Sequence, residues 1–399
     1  MAKRLSAQGA LHLILEGREA LDEDVEEEFS ECEDHISEKS KSDSDFEEED
    51  EIEHQLVPKQ RRAKTWMSKN GEIEWSSCPR NEPPRMAANV IRMQQGPTRM
   101  AVSHVQDIKS SFDLFTPDSI QKIILDCTNL EGRRVFGERW KEMDRTHLHA
   151  YFGVFMLAGV SRSKGESTES LWDAETGREF FRATMSLENF YIISRIIRFD
   201  NQDDRPARQQ RHKLAAIRTV WDKWVHRLPL FYNPGANVTI DKQLMPFRGR
   251  CPFRQSISSK PAKYGIKIWA ACDATFSYAW NLQVYTGKPD GGAPEKNQGM
   301  RVVLDMTQGL SGHNITCDNF FFISYKLGQE LLKRKLTMVG TIRINKLPPQ
   351  LQTTKNRPSK FVYTAGTSLV SYVPKKGKNV VLMSEAQAQC KCRRPRDHK

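Results

Sequence analysis

Residues 237–247 read NVTIDKQLMPF, and residues 313–324 read HNITCDNFFFIS. In the first, Val238 and Ile240 alternate with Thr239 and Asp241; in the second, Ile315 and Cys317 alternate with Thr316 and Asp318. A period of two is that of a strand with one buried face, so each segment predicts a short strand ending in a carboxylate. An unpaired carboxylate in a β-rich core is costly unless a partner or a metal ion neutralises it. Such an aspartate either caps the turn or helix that follows or holds a cation, and Asp318, ahead of a helical run at 319–335, suits both. Spacing alone does not choose between them.

Working outward, NVTIDKQLMPF, YGIKIWAACDA and SYAWNLQVYTG read as three successive strands. A helix over 297–310, the strand HNITCD, a second helix in FFFISYKLGQELLKRK and a fifth strand in KLTMVGTIR follow. The order β-β-β-α-β-α-β predicts an α/β fold, a ribonuclease H-like mixed sheet. Its first and fourth strands are neighbours, which would bring Asp241 and Asp318 together. Asp273, at the end of the second strand, reads as a turn residue.

The segment before the sheet, residues 111–233, is helical in pattern and predicts an all-α region. TPDSIQKIILDCTNL opens with Thr116 as the expected N-cap and Pro117 at the first helical position, with Ile120, Ile123 and Ile124 on one face. His147 and His149 are two apart and cannot share a helix face, which argues against a metal pair. Arg195, Arg198, Arg205, Arg208 and Arg211 lie among aromatic helices and are expected to present a basic surface.

Charge comes in blocks. The net is +11, yet residues 16–53 hold 20 acids against three bases, so that segment carries −17 and the remainder 11 + 17 = +28. Residues 1–56 therefore read as an acidic disordered tail, with serines in SDSDFEEED that suit an acid-directed kinase. Residues 57–110 lack a sustained period and read as a basic linker or arm, and PKQRRAK within it predicts nuclear localisation. A body of +28 implies a polyanionic partner such as DNA or RNA.

The 399 residues allow two or three domains. No apolar run reaches the ~18 residues of a membrane span, so no membrane partner is expected. The eight cysteines show no CxxC pair, which argues against a disulfide framework and for reduced thiols.

Three longer stretches, VTIDKQLMPFRGRCPFRQSISSKPAKYGIKIW, NITCDNFF and LTMVGTIRINK, resemble the piggyBac transposase family, a similarity that runs from about Phe112 to Leu382. The resemblance implies a helical dimerisation and DNA-binding region at 111–233, a ribonuclease H-like catalytic-type core at 234–345 and part of a β-rich insertion at 346–384. It implies that Asp241 and Asp318 are two members of a catalytic DDE/D triad that holds Mg²⁺. Paired Mg²⁺ ions, held by clustered carboxylates, serve both ends of an in-line phosphodiester displacement. Arg248, Arg250, Lys260, Lys263 and Lys267 are the expected DNA contacts.

The third acid of the family opens a helix in a Gly-Gly-Val-Asp-like segment. Beyond Asp318 this sequence offers Glu330, Glu385 and Asp397, and none fits that role. Glu330 lies within a predicted helix, and the other two in the divergent basic tail 385–399. Cys390 and Cys392 supply two ligands where a zinc module needs four. The chain therefore reads as C-terminally truncated relative to the family, with an unfinished core that exposes an apolar face. Three readings follow: a DNA-associated protein that does not transpose, a Mg²⁺-dependent transposase that acts as a dimer with a full-length relative, or a decayed copy.

Overall fold

The computed structural model describes residues 63–68, 71–79, 91, 93–257, 263–287, 295, 297–317, 323–342, 359–364, 366–375 and 378–385. The expectations for residues 1–56, Lys260, Asp318, Cys390, Cys392 and Asp397 lie outside them, as does most of PKQRRAK.

The chain enters through two short strands, β1 (Thr65–Met67) and β2 (Glu74–Ser76), and a third, β3 (Gly96–Pro97). Helices follow: α1 (Arg99–His104), α2 (Ile108–Phe115), α3 (Asp118–Phe136), α4 (Arg145–Val160), α5 (Thr168–Trp172), α6 (Glu179–Thr184), α7 (Leu187–Ile196), α8 (Arg205–Gln209) and α9 (Arg218–Phe231). Side chains of Thr98, Asp107, Asp144, Ser167 and Ser186 cap α1, α2, α4, α5 and α7 by accepting a backbone amide of the first turn. Each such cap contributes about 1 kcal/mol. The start of α3 departs from the sequence expectation: Pro117 is its N-cap, and the Thr116 hydroxyl instead donates to the Phe112 carbonyl to close α2. With only Thr116 and Pro117 between the two helices, the end of the first claims the hydroxyl.

Apolar faces of α3, α4 and α7 meet around Ile120, Ile124, Leu148, Tyr151, Phe190 and Ile193. Trp172 lies 5.0 Å, ring centre to ring centre, from both Phe181 and Phe190. Arg198 donates to the buried Glu131 at 2.9 Å, and Arg205 and Arg208 clamp the buried Asp200 at 2.6 Å each. Three of the five arginines expected to form a basic surface are thus internal partners of buried acids. Arg195 lies over the Phe136 ring, at 5.9 Å.

The sheet that β1 and β2 join is built mainly from strands after β4 (Tyr232–Asn233), which itself pairs with β3. Its strands are β5 (Asn237–Pro246), β6 (Gln255–Ser256), β7 (Tyr264–Asp273), β8 (Ala279–Val284), β9 (Asn314–Cys317), β10 (Thr337–Ile342), β11 (Lys360–Thr364), β12 (Thr367–Lys375) and β13 (Lys378–Ser384). Helices α10 (Gln298–Met306) and α11 (Tyr325–Lys333) interrupt them, so the predicted β-β-β-α-β-α-β order is present. The order across the sheet is β1-β2-β11-β12-β13-β10-β9-β5-β7-β6, with β8 also on β7. β9 runs parallel to β5 and β10, and the other pairings are antiparallel. The expected insertion strands β11–β13 continue this sheet, because β13 pairs with β10 from Val339↔Ser384 to Ile342↔Val381.

One face carries the core: Val238, Ile240, Ile315, Cys317 and Met338 are buried against Val302, Val303 and Met306 of α10 and Leu327 and Leu331 of α11. Trp75 of β2 joins this core and meets Tyr325 edge-on, where β2 pairs with β11 at Ser76↔Tyr363. On β11–β13, Phe361, Tyr372, Val380 and Leu382 remain exposed on strands whose alternate residues are buried.

Candidate active site

The two strands expected to end in aspartate are neighbours, but β5 runs on to Pro246 and so carries Asp241 in its middle, because β7 pairs with it along its whole length. Cys317, which precedes Asp318, lies opposite Ile240, which precedes Asp241, and parallel strands are spaced about 4.8 Å apart. The described pairing of β5 with β9 runs from Asn237↔Asn314 to this rung, and the pairing of β5 with β7 runs on to Pro246↔Gly265. Asp241 lies one residue further along β5, on the strand face opposite Val238 and Ile240. Its side chain is exposed, and its carboxylate accepts the amide N–H of Lys242 at 2.7 Å.

Asp273 lies opposite Val238, at the start of the same strand pair, and is 1% exposed. One carboxylate oxygen accepts the amides of Thr275 and Phe276 at 2.8 Å each. The other accepts the Gly235 amide at 2.6 Å, the Tyr232 hydroxyl at 3.4 Å and the Gln95 side-chain amide at 3.5 Å. Burial pushes this carboxyl up, but the amides of Gly235, Phe276 and Thr275 together outweigh it and hold it below its ordinary value. The turn reading of Asp273 therefore matches its contacts, and the residue also ties the β4–β5 junction and the entering arm to the end of β7.

Glu385 departs from its placement in a polar tail. It follows β13 directly, is 4% exposed, and has neither carboxylate oxygen hydrogen-bonded. It packs on Gly328 of α11, where a Cβ would collide with its carboxylate. Burial pushes its pKa up to about 8. Because α11 covers the core face, Glu385 lies beneath the sheet face opposite Asp241 and cannot complete a carboxylate cluster there. Glu330, on α11, pairs with Lys333 at 2.7 Å.

Among the expected DNA contacts, Arg248, Arg250 and Lys263 are exposed on and beside the β5–β7 ribbon. Lys267 departs from the expectation: it is 4% exposed, with its ammonium 4.8 Å from the Tyr285 ring centre and 5.7 Å from that of Trp269. Sequence reasoning passed over Arg254 and Tyr264, although a signal was there. From residue 242 to residue 272 the chain has seven cations and no acid.

Carboxylate oxygen suits Mg²⁺, and Asp241 has the exposure to serve as one ligand. Among the described residues no group of three or more His, Cys, Asp or Glu side chains is placed to hold a metal ion. They do not by themselves fit a Mg²⁺ site.

Comparison with known proteins agrees with this geometry. Residues 109–399 match the family model described as Transposase IS4. The human PiggyBac transposable element-derived protein 3 is 25% identical over 247 residues, which cover 58% of this chain and 39% of that protein. The human Chimeric ERCC6-PGBD3 protein is likewise 25% identical over 247 residues, covering 22% of its own length. A cryo-EM structure of a piggyBac transposase synaptic complex with hairpin DNA matches with a TM-score of 0.69 and 35% identity, over 74% of this chain and 64% of that one. The chain thus spans less than two thirds of each of these relatives.

Proposed function

We propose a function from one premise: this chain belongs to the piggyBac transposase family. We infer that it is a nuclear, DNA-associated protein whose 399 residues bind DNA without cutting it by themselves. The observation that carries this reading is the stretch from 242 to 272, seven cations without an acid, which displays Arg248, Arg250 and Lys263 beyond the far end of the strand pair that carries Asp241. DNA as the polyanion draws support from the solved relative, a synaptic complex with hairpin DNA. The family makes Asp241 and Asp318 the candidate Mg²⁺ ligands, and two carboxylates alone would hold the ion weakly. Glu330 is paired with Lys333 on α11, and Glu385 is buried under the sheet face opposite Asp241.

The test is retention of a labelled duplex by the purified chain across a salt series, with Mg²⁺-dependent nicking scored in parallel. Binding that weakens steeply with salt, without nicking, is the expected result; no retention at low salt would sink the reading. A second reading is favoured by the exposure of Asp241: a relative in a mixed dimer supplies a further carboxylate. In that case nicking appears only when both chains are present and is lost with Asp241→Ala.

A further inference from the structure

Tyr264 opens β7 opposite Ser256 and is 42% exposed. Its carbonyl accepts the Phe247 amide at 3.2 Å, which ties the ring's backbone to the loop after β5. That loop is tightly folded, for a Cβ on Gly249 would strike the Phe247 ring. Arg254 reaches across it and donates to the carbonyls of Arg248 and Gly249, each at 3.2 Å. Held this way, its guanidinium carbon lies 5.2 Å from the Tyr264 ring centre, and the Lys263 ammonium lies 5.4 Å from the same ring. Arg248 and Arg250 are exposed on the same loop.

An exposed aromatic ring, a guanidinium fixed against it and free cations nearby are the parts of a platform for an unpaired base. A paired base has both faces occupied by its stacked neighbours, whereas an unpaired one can leave the stack for a protein ring. We infer that Tyr264 stacks on an unpaired base of single-stranded DNA while Arg248 and Arg250 hold the adjoining phosphates. The Lys263 side chain, long and exposed, yields its place on the ring to the base. The inference rests on the DNA-binding reading and adds a preference for strand ends or opened duplex over closed duplex.

The full chain is titrated with a fluorescent single strand of about 20 nucleotides and with the duplex of the same sequence, at one salt concentration. Tyr264→Ala is expected to lower single-strand affinity roughly 5- to 100-fold and to leave duplex affinity within about twofold, while Tyr264→Phe retains both. A single-strand probe carrying 2-aminopurine changes its emission on the wild-type chain and on Tyr264→Phe, but not on Tyr264→Ala. Equal losses on both probes, or no loss on the single strand, would overturn the platform. Wild-type chain that binds duplex but no single strand also overturns it and leaves the DNA reading intact. Failure of the wild-type chain on both probes overturns the DNA reading itself.

Discussion

Asp241 and Asp273 occupy one pair of antiparallel strands three rungs apart, and their surroundings are opposite. Asp273 is enclosed and accepts three backbone amides and two side-chain donors. Asp241 is exposed in the middle of β5, with the amide of the next residue on its carboxylate. A carboxylate costs little inside a protein when donors aimed at it replace its water, and an exposed one keeps its charge for a ligand from outside. The acid at the end of the strand pair is used to hold the fold, and the one in its middle faces solvent.

Replacement of the two acids should separate these roles. Asp273→Ala orphans the buried amides of Gly235, Thr275 and Phe276 and should cost about 3–5 kcal/mol in urea denaturation. Asp241→Ala should cost under about 0.5 kcal/mol. Similar losses from both would break the comparison. The pH dependence carries a sign. The folded pKa of Asp273 lies below its ordinary 3.8, so its contribution is complete above that value and is lost as pH falls through the folded value. Asp273→Asn should remove that acid limb.

Glu385 is a third case, buried like Asp273 but without its donors. The folded state holds this proton up to about pH 8 against an ordinary 4.5, so folding is penalised as pH rises from about 4.5 to about 8 and the penalty is constant above. Glu385→Gln should flatten that slope and raise stability at pH 8 by about 2–4 kcal/mol, read from denaturation curves at several pH values. A slope unchanged by the substitution would put Glu385 in water.

Smaller effects are expected on the open ribbon. Arg248→Ala with Arg250→Ala should weaken duplex binding by about 1–2 kcal/mol, lower the salt slope by about 1.8 and leave stability within about 0.5 kcal/mol. A large stability loss would show that these cations, like Arg198, Arg205 and Arg208, serve the fold.

What could be read from the sequence was what is written locally. Alternation in Val238–Asp241 and Ile315–Asp318 predicted both strands, and the order of elements predicted their adjacency, seen in the Ile240↔Cys317 pairing. The junction of β13 with β10 joins residues about 40 apart through a register that no local pattern encodes. That register also carries Glu385 under α11, although its neighbours in sequence are polar. Lys267 and Arg198 show a related limit: a cation's residue type gives its charge, while the ring or acid that receives it comes from a distant segment. The cationic stretch from 242 to 272 was legible as composition, yet the fixing of Arg254 on Tyr264 depends on a loop closed by Phe247 and Gly249.

The pairing of β2 with β11 has a consequence in time. Ser76 meets Tyr363, so 363 − 76 = 287 residues must be made after the first strand before its partner exists. At ~5–20 residues per second, synthesis alone imposes a wait of roughly 15–60 s. During it Trp75, buried in the finished core, has neither Tyr325 nor β11 to cover it. The nascent chain thus carries an exposed tryptophan ahead of a strongly basic body, a target for chaperones throughout its synthesis.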